Sequence, residues 1–167
     1  GAIEQLEKML SVFGVGKQDV FLIPGNHDVG LAVDSETRSK WIEDIHDNIE
    51  KNYQSYAQYQ DKLMDGFSDY RMMVKEFYKG VLDECDPRIS KCDNVYYVCW
   101  NNRLNIVGMN TALISDGKRD HKEIFDADSL YSILDSGEFK PSLPTILLGH
   151  HSSNDFYDSQ SIFWKTF

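Results

Sequence analysis

An α/β fold that carries its functional loops at strand tips is what this sequence predicts, and three observations predict it. The run Phe21-Leu22-Ile23 is apolar, of strand type, and stops at Pro24-Gly25. A second apolar run, Thr145-Ile146-Leu147-Leu148, stops the same way at Gly149-His150. Before and between them, apolar residues recur every three or four positions, the helical period. Each strand therefore hands its next residues to a loop at the carboxyl end of a sheet, where open α/β folds place their chemistry.

Taken in order, Ile3, Leu6, Leu10 and Phe13 share one helical face, and Gly14 and Gly16 are stop signals. This helix is expected to pack on the sheet. Val20 to Ile23 follow as a strand, so helix, loop and strand read as half of a βαβ unit whose first strand would lie upstream of Gly1. From Asp34 to about Leu82 the spacing of Trp41, Ile45, Ile49, Tyr53, Tyr56, Leu63, Phe67 and Tyr70 predicts a helical hairpin, broken near Asp65-Gly66. It continues through Met73, Val74, Phe77 and Val81, with Asp34 or Ser35 as N-cap. A turn-rich link from Asp83 to Asp93, with Pro87, closes this insertion over 34–92. Val95–Trp100 and Leu104–Met109 are β-rich runs joined by Asn101-Asn102-Arg103, a hairpin signal. Residues 112–125 read as a polar loop. Asp126 or Asp128 then caps a helix bearing Leu130, Ile133 and Leu134, which stops at Gly137, and Pro141 and Pro144 forbid its continuation.

Composition bounds the function. A chain of 167 residues, 41% hydrophobic and 26% charged, is an ordinary globular domain. Its net charge of −10, with no window dense in Lys or Arg, repels a nucleic-acid backbone over most of the surface, so nucleic acid enters only as a substrate. Cys85, Cys92 and Cys99 are odd in number and lack a Cys-x-x-Cys pair, which suggests neither a disulfide framework nor a zinc knuckle but idle thiols in a reducing compartment. No apolar run approaches the roughly 20 residues that a membrane span needs, and no signal peptide is visible. A cytoplasmic protein without a membrane partner is expected.

Asn26, His27 and Asp28 place an amide oxygen, an imidazole and a carboxylate on three consecutive residues at a strand tip. Asn and Asp are also common turn residues. Their position after a strand and Pro-Gly makes them a metal and acid/base kit rather than turn filler, with Gly25 expected to supply backbone freedom for the sharp exit. His150 and His151 end the second run in the same manner. Of the remaining histidines, His46 reads as a solvated helix residue among Asp44 and Asp47, and His121 as exposed; Trp100 and Trp164 read as core.

With these two motifs the chain resembles the calcineurin-like metallophosphoesterases, whose third signature is Gly-Asn-His-Asp or Gly-Asn-His-Glu after a strand and whose fourth is a His after a later strand. Gly25-Asn26-His27-Asp28 and His150 match them. The family's upstream Asp-x-His and Gly-Asp and its downstream Gly-His-x-His are not in this sequence. Residues 1–167 accordingly read as the central part of one such domain. The fold the resemblance implies is a two-sheet β-sandwich flanked by helices, incomplete here and carrying the helical insertion.

The activity it implies is hydrolysis of a phosphoester substrate at a dinuclear centre of divalent ions (Mn2+, Fe, Zn2+ or similar), with a catalytic His. By the family pattern Asn26 and His150 bind one ion, His27 faces the scissile phosphate, and Asp28 orients His27. His151 is the less favoured alternate ligand, because the family often continues with Pro where this chain has Ser152-Ser153. Within the class a phosphatase, a cyclic-nucleotide phosphodiesterase and a nuclease compete. A non-catalytic scaffold is the reading from a different class, and the retained His27 argues against it. The 34–82 segment is expected to act as a lid, a substrate wall or a docking surface for a partner domain, with Tyr53, Tyr56 and Tyr59 as candidates for stacking on a base.

Overall fold

The structure, a computed structural model, describes residues 1–30, 34–48, 59–115 and 123–157. Its elements run α1 (Ala2–Phe13), α2 (Ser35–Asn48), α3 (Gln60–Asp65), α4 (Ser68–Tyr78), α5 (Pro87–Ser90), β1 (Val95–Trp100), β2 (Leu104–Met109), α6 (Ala127–Asp135) and β3 (Thr145–Leu148). The architecture is mixed α/β. Among the described residues there is one sheet of three strands in the order β1-β2-β3.

The hairpin forms where the sequence places it. Asn101 and Asn102 both adopt left-handed backbone, with φ of 52° and 54°, and the Arg103 amide closes the turn on the Trp100 carbonyl at 3.0 Å. Two consecutive positive φ angles match the right-handed twist of the flanking strands, and Asn tolerates them better than most residues. β2 then pairs in parallel with β3, Asn105 beside Thr145 through Gly108 beside Leu148. A parallel pair needs a crossover, and α6 lies in it, capped by the Asp126 carboxylate on the Ser129 amide at 3.0 Å.

Two apolar cores result. The smaller joins the sheet to α6 through Val95, Val107, Met109, Phe125, Leu130 and Phe156. The larger is mostly the insertion: Ile42, Ile45, Leu63, Phe67, Val74, Phe77 and Ile89 pack with Leu113, Ile114 and Ile124. Ile3, Leu6 and Leu10 lean on that larger core, to which no residue of β1, β2 or β3 contributes. The helical break falls where predicted, α3 ending at Asp65 and α4 beginning at Ser68. Asp34 is the cap of α2, its carboxylate taking the Thr37 amide at 3.0 Å.

Several expectations are corrected. Ala112, Leu113 and Ile114 are fully buried and supply a wall of the larger core, so the stretch after β2 is not a polar loop there. Buried Arg38 of α2 fastens that wall to the insertion, donating to the carbonyls of Leu63, Leu113 and Ser115. His46 is half-buried and bonds the Tyr157 hydroxyl, because Tyr157 packs onto the face that the sequence alone leaves to solvent. Trp100 is half-buried rather than core, its indole N–H donating to Asp19 at 3.2 Å. Tyr59 is half-buried and stacked on Trp41 at 6.0 Å. Ile49, Tyr53, Tyr56, His121 and Trp164 lie outside the described residues.

Candidate active site

Val20 is extended, with φ −94° and ψ 144°, but residues 20–24 belong to no sheet among the described residues, where the sequence predicts a strand. Two tyrosine hydroxyls stand in for a neighbouring strand: Tyr78 donates to the Val20 carbonyl at 2.8 Å and Tyr96 to the Leu22 carbonyl at 3.0 Å. Alternate carbonyls of an extended chain point the same way, so one row is satisfied from one side. Tyr96 reaches across because its β2 partner is Gly108; a Cβ at Gly108 would overlap the Tyr96 ring. Burial pushes both phenols well above the usual tyrosine range, which keeps them neutral donors. Arg88 of α5 adds a hydrogen bond to the Gln18 carbonyl at 2.5 Å.

At the end of this segment Asn26, His27 and Asp28 form one 3-10 turn. Its closure is local and reciprocal: the Gly25 amide donates to Asp28 Oδ2 at 2.8 Å, and the Asp28 amide donates to the Gly25 carbonyl at 3.0 Å. Asp28 thus shapes the turn on which His27 stands. Asn26 is half-buried, and His27 is exposed. The turn's exit is fixed by the Gly30 amide on the Gly66 carbonyl at 2.6 Å, at the break between α3 and α4.

The second turn arrives by register. With Gly108 beside Leu148, Asn110-Thr111 come level with His150-His151. Thr111 Oγ1 accepts the amides of both histidines, each at 3.0 Å, and its carbonyl lies 2.7 Å from His151 Nδ1. Burial holds the His151 pKa below the usual histidine value, and neighbouring His150 adds to the effect against the opposing Thr111 contact. Facing a carbonyl, Nδ1 is the donor of that contact, and Nε2 on the other side of the ring lies 3.8 Å from Glu123 Oε1.

The two turns meet. The His150 ring lies against the Gly25 backbone so closely that a Cβ there would sit 2.9 Å from Nδ1 and 3.0 Å from Cε1. Gly25 itself is extended, with φ −116° and ψ −180°, a conformation open to any residue. Its requirement for glycine is space for His150, not backbone freedom. His150 is exposed, and its ring has no hydrogen bond among the described residues. An amide oxygen at Asn26 and a ring nitrogen at His150 thereby come from two loops more than a hundred residues apart. Both donor types suit a first-row divalent ion. Among the described residues, no group of three or more His, Cys, Asp and Glu side chains is placed to hold an ion.

Sequence comparison bears on this geometry. The chain is 24% identical, over 160 positions, to the uncharacterized metallophosphoesterase-like protein YydB of Bacillus subtilis (strain 168). That likeness supports the metallophosphoesterase resemblance. The alignment takes in 89% of this chain and 30% of that protein, so the chain spans about a third of its relative's length. No family model matches the chain, and no solved structure matches it. Among the described residues no helix is long and apolar enough to cross a membrane.

Sequence reasoning singles out Asn26, His27, Asp28 and His150 without the contacts around them: the Tyr78 and Tyr96 hydroxyls on the Val20 and Leu22 carbonyls, Thr111 under the His150 and His151 amides, and Glu123 beside His151.

Proposed function

We propose that the protein is a metal-dependent phosphoester hydrolase, with Asn26 and His150 as ligands of one divalent ion and His27 as the catalytic acid. The observation that carries this reading is the His150 ring seated on Gly25, beside Asn26 and His27. A bound dinuclear centre would supply a nucleophilic water at neutral pH and neutralise the phosphoryl oxygens.

The chain's own residues supply the rest. Asn26 and His150 offer two donors, and the remaining ligands come from outside the described residues. His27, exposed at the tip of the turn, hydrogen-bonds the phosphoryl group and gives a proton to the leaving oxygen, a contribution of about 10²–10⁴-fold. Asp28 keeps the turn closed so that His27 and Asn26 hold a fixed separation. His151, with Nδ1 turned to the Thr111 carbonyl, stands edge to face against the His150 ring.

Activity and metal content of the full-length protein test the proposal together. Hydrolysis of an aryl phosphomonoester or a bis-aryl phosphodiester is expected only with a bound transition metal, and chelation followed by Mn2+ restores it. Full turnover of every hydrolysed ester in the chelated, metal-free protein would overturn the reading. Metal uptake without turnover of any ester would favour the scaffold instead.

A further inference from the structure

Thr111 holds the histidine turn through both its hydroxyl and its carbonyl. It is fully buried, and its single hydroxyl oxygen takes the amides of His150 and His151, each at 3.0 Å. Consecutive amides converging on one point form a concavity of the kind that otherwise binds an anion. Here it is filled from within by a neutral oxygen whose two lone pairs are both engaged. The Thr111 carbonyl then receives His151 Nδ1 at 2.7 Å, which fixes that ring as well.

The hydroxyl cannot drift, because the residues beside it are fastened. Asn110 sits in a closed set of bonds: its amide on the Asn94 carbonyl at 2.7 Å, its Nδ2 on the Asp93 carbonyl at 2.8 Å, and its Oδ1 under the Ala112 amide at 2.9 Å. Position 111 is therefore set by the end of β2, and it transmits that position to the residues after β3. The other side of His151 faces Glu123, which is held in turn by the Ser115 hydroxyl at 2.6 Å.

We infer that Thr111 is the positioning residue that aims the His150 ring at the Gly25–Asp28 turn, through its hydroxyl rather than its bulk. This rests on the reading of His150 as a metal ligand. Without the hydroxyl, two part-buried amides lose their acceptor, and the turn relaxes to find water or another oxygen. A ring with no hydrogen bond of its own then swings off Gly25. Second-layer groups of this kind are worth about 10–100-fold in metal affinity.

The test compares Thr111→Val, which keeps the shape and removes the hydroxyl, with Thr111→Ser, which keeps the hydroxyl, both in the full-length protein. Mn2+ affinity is read by equilibrium dialysis, alongside thermal unfolding. The expected result is a loss of about 10–100-fold for the Val variant, with Ser recovering most of it. In a His150→Ala background the Val substitution is expected to cost nothing further. Equal losses for Val and Ser, wild-type affinity in the Val variant, or an undiminished loss in the His150→Ala background would each overturn the inference. A second measurement separates it from the hydrolase reading and needs no metal: 15N signals of the His151 ring. They are expected to show the Nδ1–H tautomer in the wild-type and Ser proteins. An Nε2–H tautomer in the wild type overturns the assignment whether or not the Val variant folds. A wild-type protein that takes up no Mn2+ but shows the Nδ1–H tautomer would sink the metal reading and with it the aiming role.

Discussion

The two turns that meet at the candidate site are held in opposite ways. Gly25–Asp28 closes on itself, the Asp28 carboxylate and amide bonding the Gly25 backbone three residues back. His150-His151 closes on nothing nearby; it hangs from Thr111, 39 and 40 residues away in sequence. A turn of the first kind is specified by adjacent residues. One of the second kind exists only if β2 and β3 pair in one register. A one-residue slip would reverse every side chain and remove the acceptor. The difference teaches that the two halves of one site carry different vulnerabilities, the first to local substitution and the second to anything that moves the sheet.

The sharpest way to break the comparison is at the histidines. His27→Ala is expected to lower kcat by about 10²-fold or more with metal content nearly intact. His150→Ala is expected to deplete the metal. Metal analysis of both variants checks the division of labour, and loss of ions in the His27 variant would reverse it. If His151→Ala depletes metal and His150→Ala does not, the ligand is His151.

A smaller effect is expected where the turns touch. Gly25→Ala puts a methyl group 2.9 Å from His150 Nδ1, and the exposed ring can rotate away. Thermal stability should therefore change little, while Mn2+ affinity falls about 10-fold, within the range found when a ligand's surroundings are disturbed. A variant that binds metal normally would show that the ring contact is incidental.

The smallest effects sharpen the local half. Asp28→Ala removes the bond to the Gly25 amide and is expected to lower stability by about 1 kcal/mol. Tyr96→Phe removes the hydroxyl from the Leu22 carbonyl and is expected to lower stability by a similar amount, about 1 kcal/mol. Denaturant titration measures both. The two sites share no partner, so their effects should add. A loss in the Tyr96 variant several times larger would mean that the 20–23 segment shifts as a whole when the Leu22 carbonyl loses its donor.

Burial separates what was legible along the chain from what was not. The hairpin was read from two asparagines, the α6 cap from Asp126 and the helical break from Asp65-Gly66, because turn and cap chemistry is decided within a few residues. His46 was misread because its partner, Tyr157, lies 111 residues away. The stretch after β2 was misread because the insertion, not the sheet, covers Leu113 and Ile114.

The sequence by itself determined the chemistry on offer: an amide oxygen, an imidazole and a carboxylate on Asn26, His27 and Asp28, and an imidazole pair at the end of β3. Local bonding also settled the shape of the first turn, since the Asp28 carboxylate reaches the Gly25 amide without help from the rest of the chain. Only the tertiary structure decided that His150 rests on Gly25, that Thr111 carries the second turn, and that a side chain at position 25 would meet the His150 ring. Those contacts depend on the parallel register of β2 with β3 and on tyrosines that hold residues 20–22 in place. Register is a property of two paired strands, and no residue carries it alone.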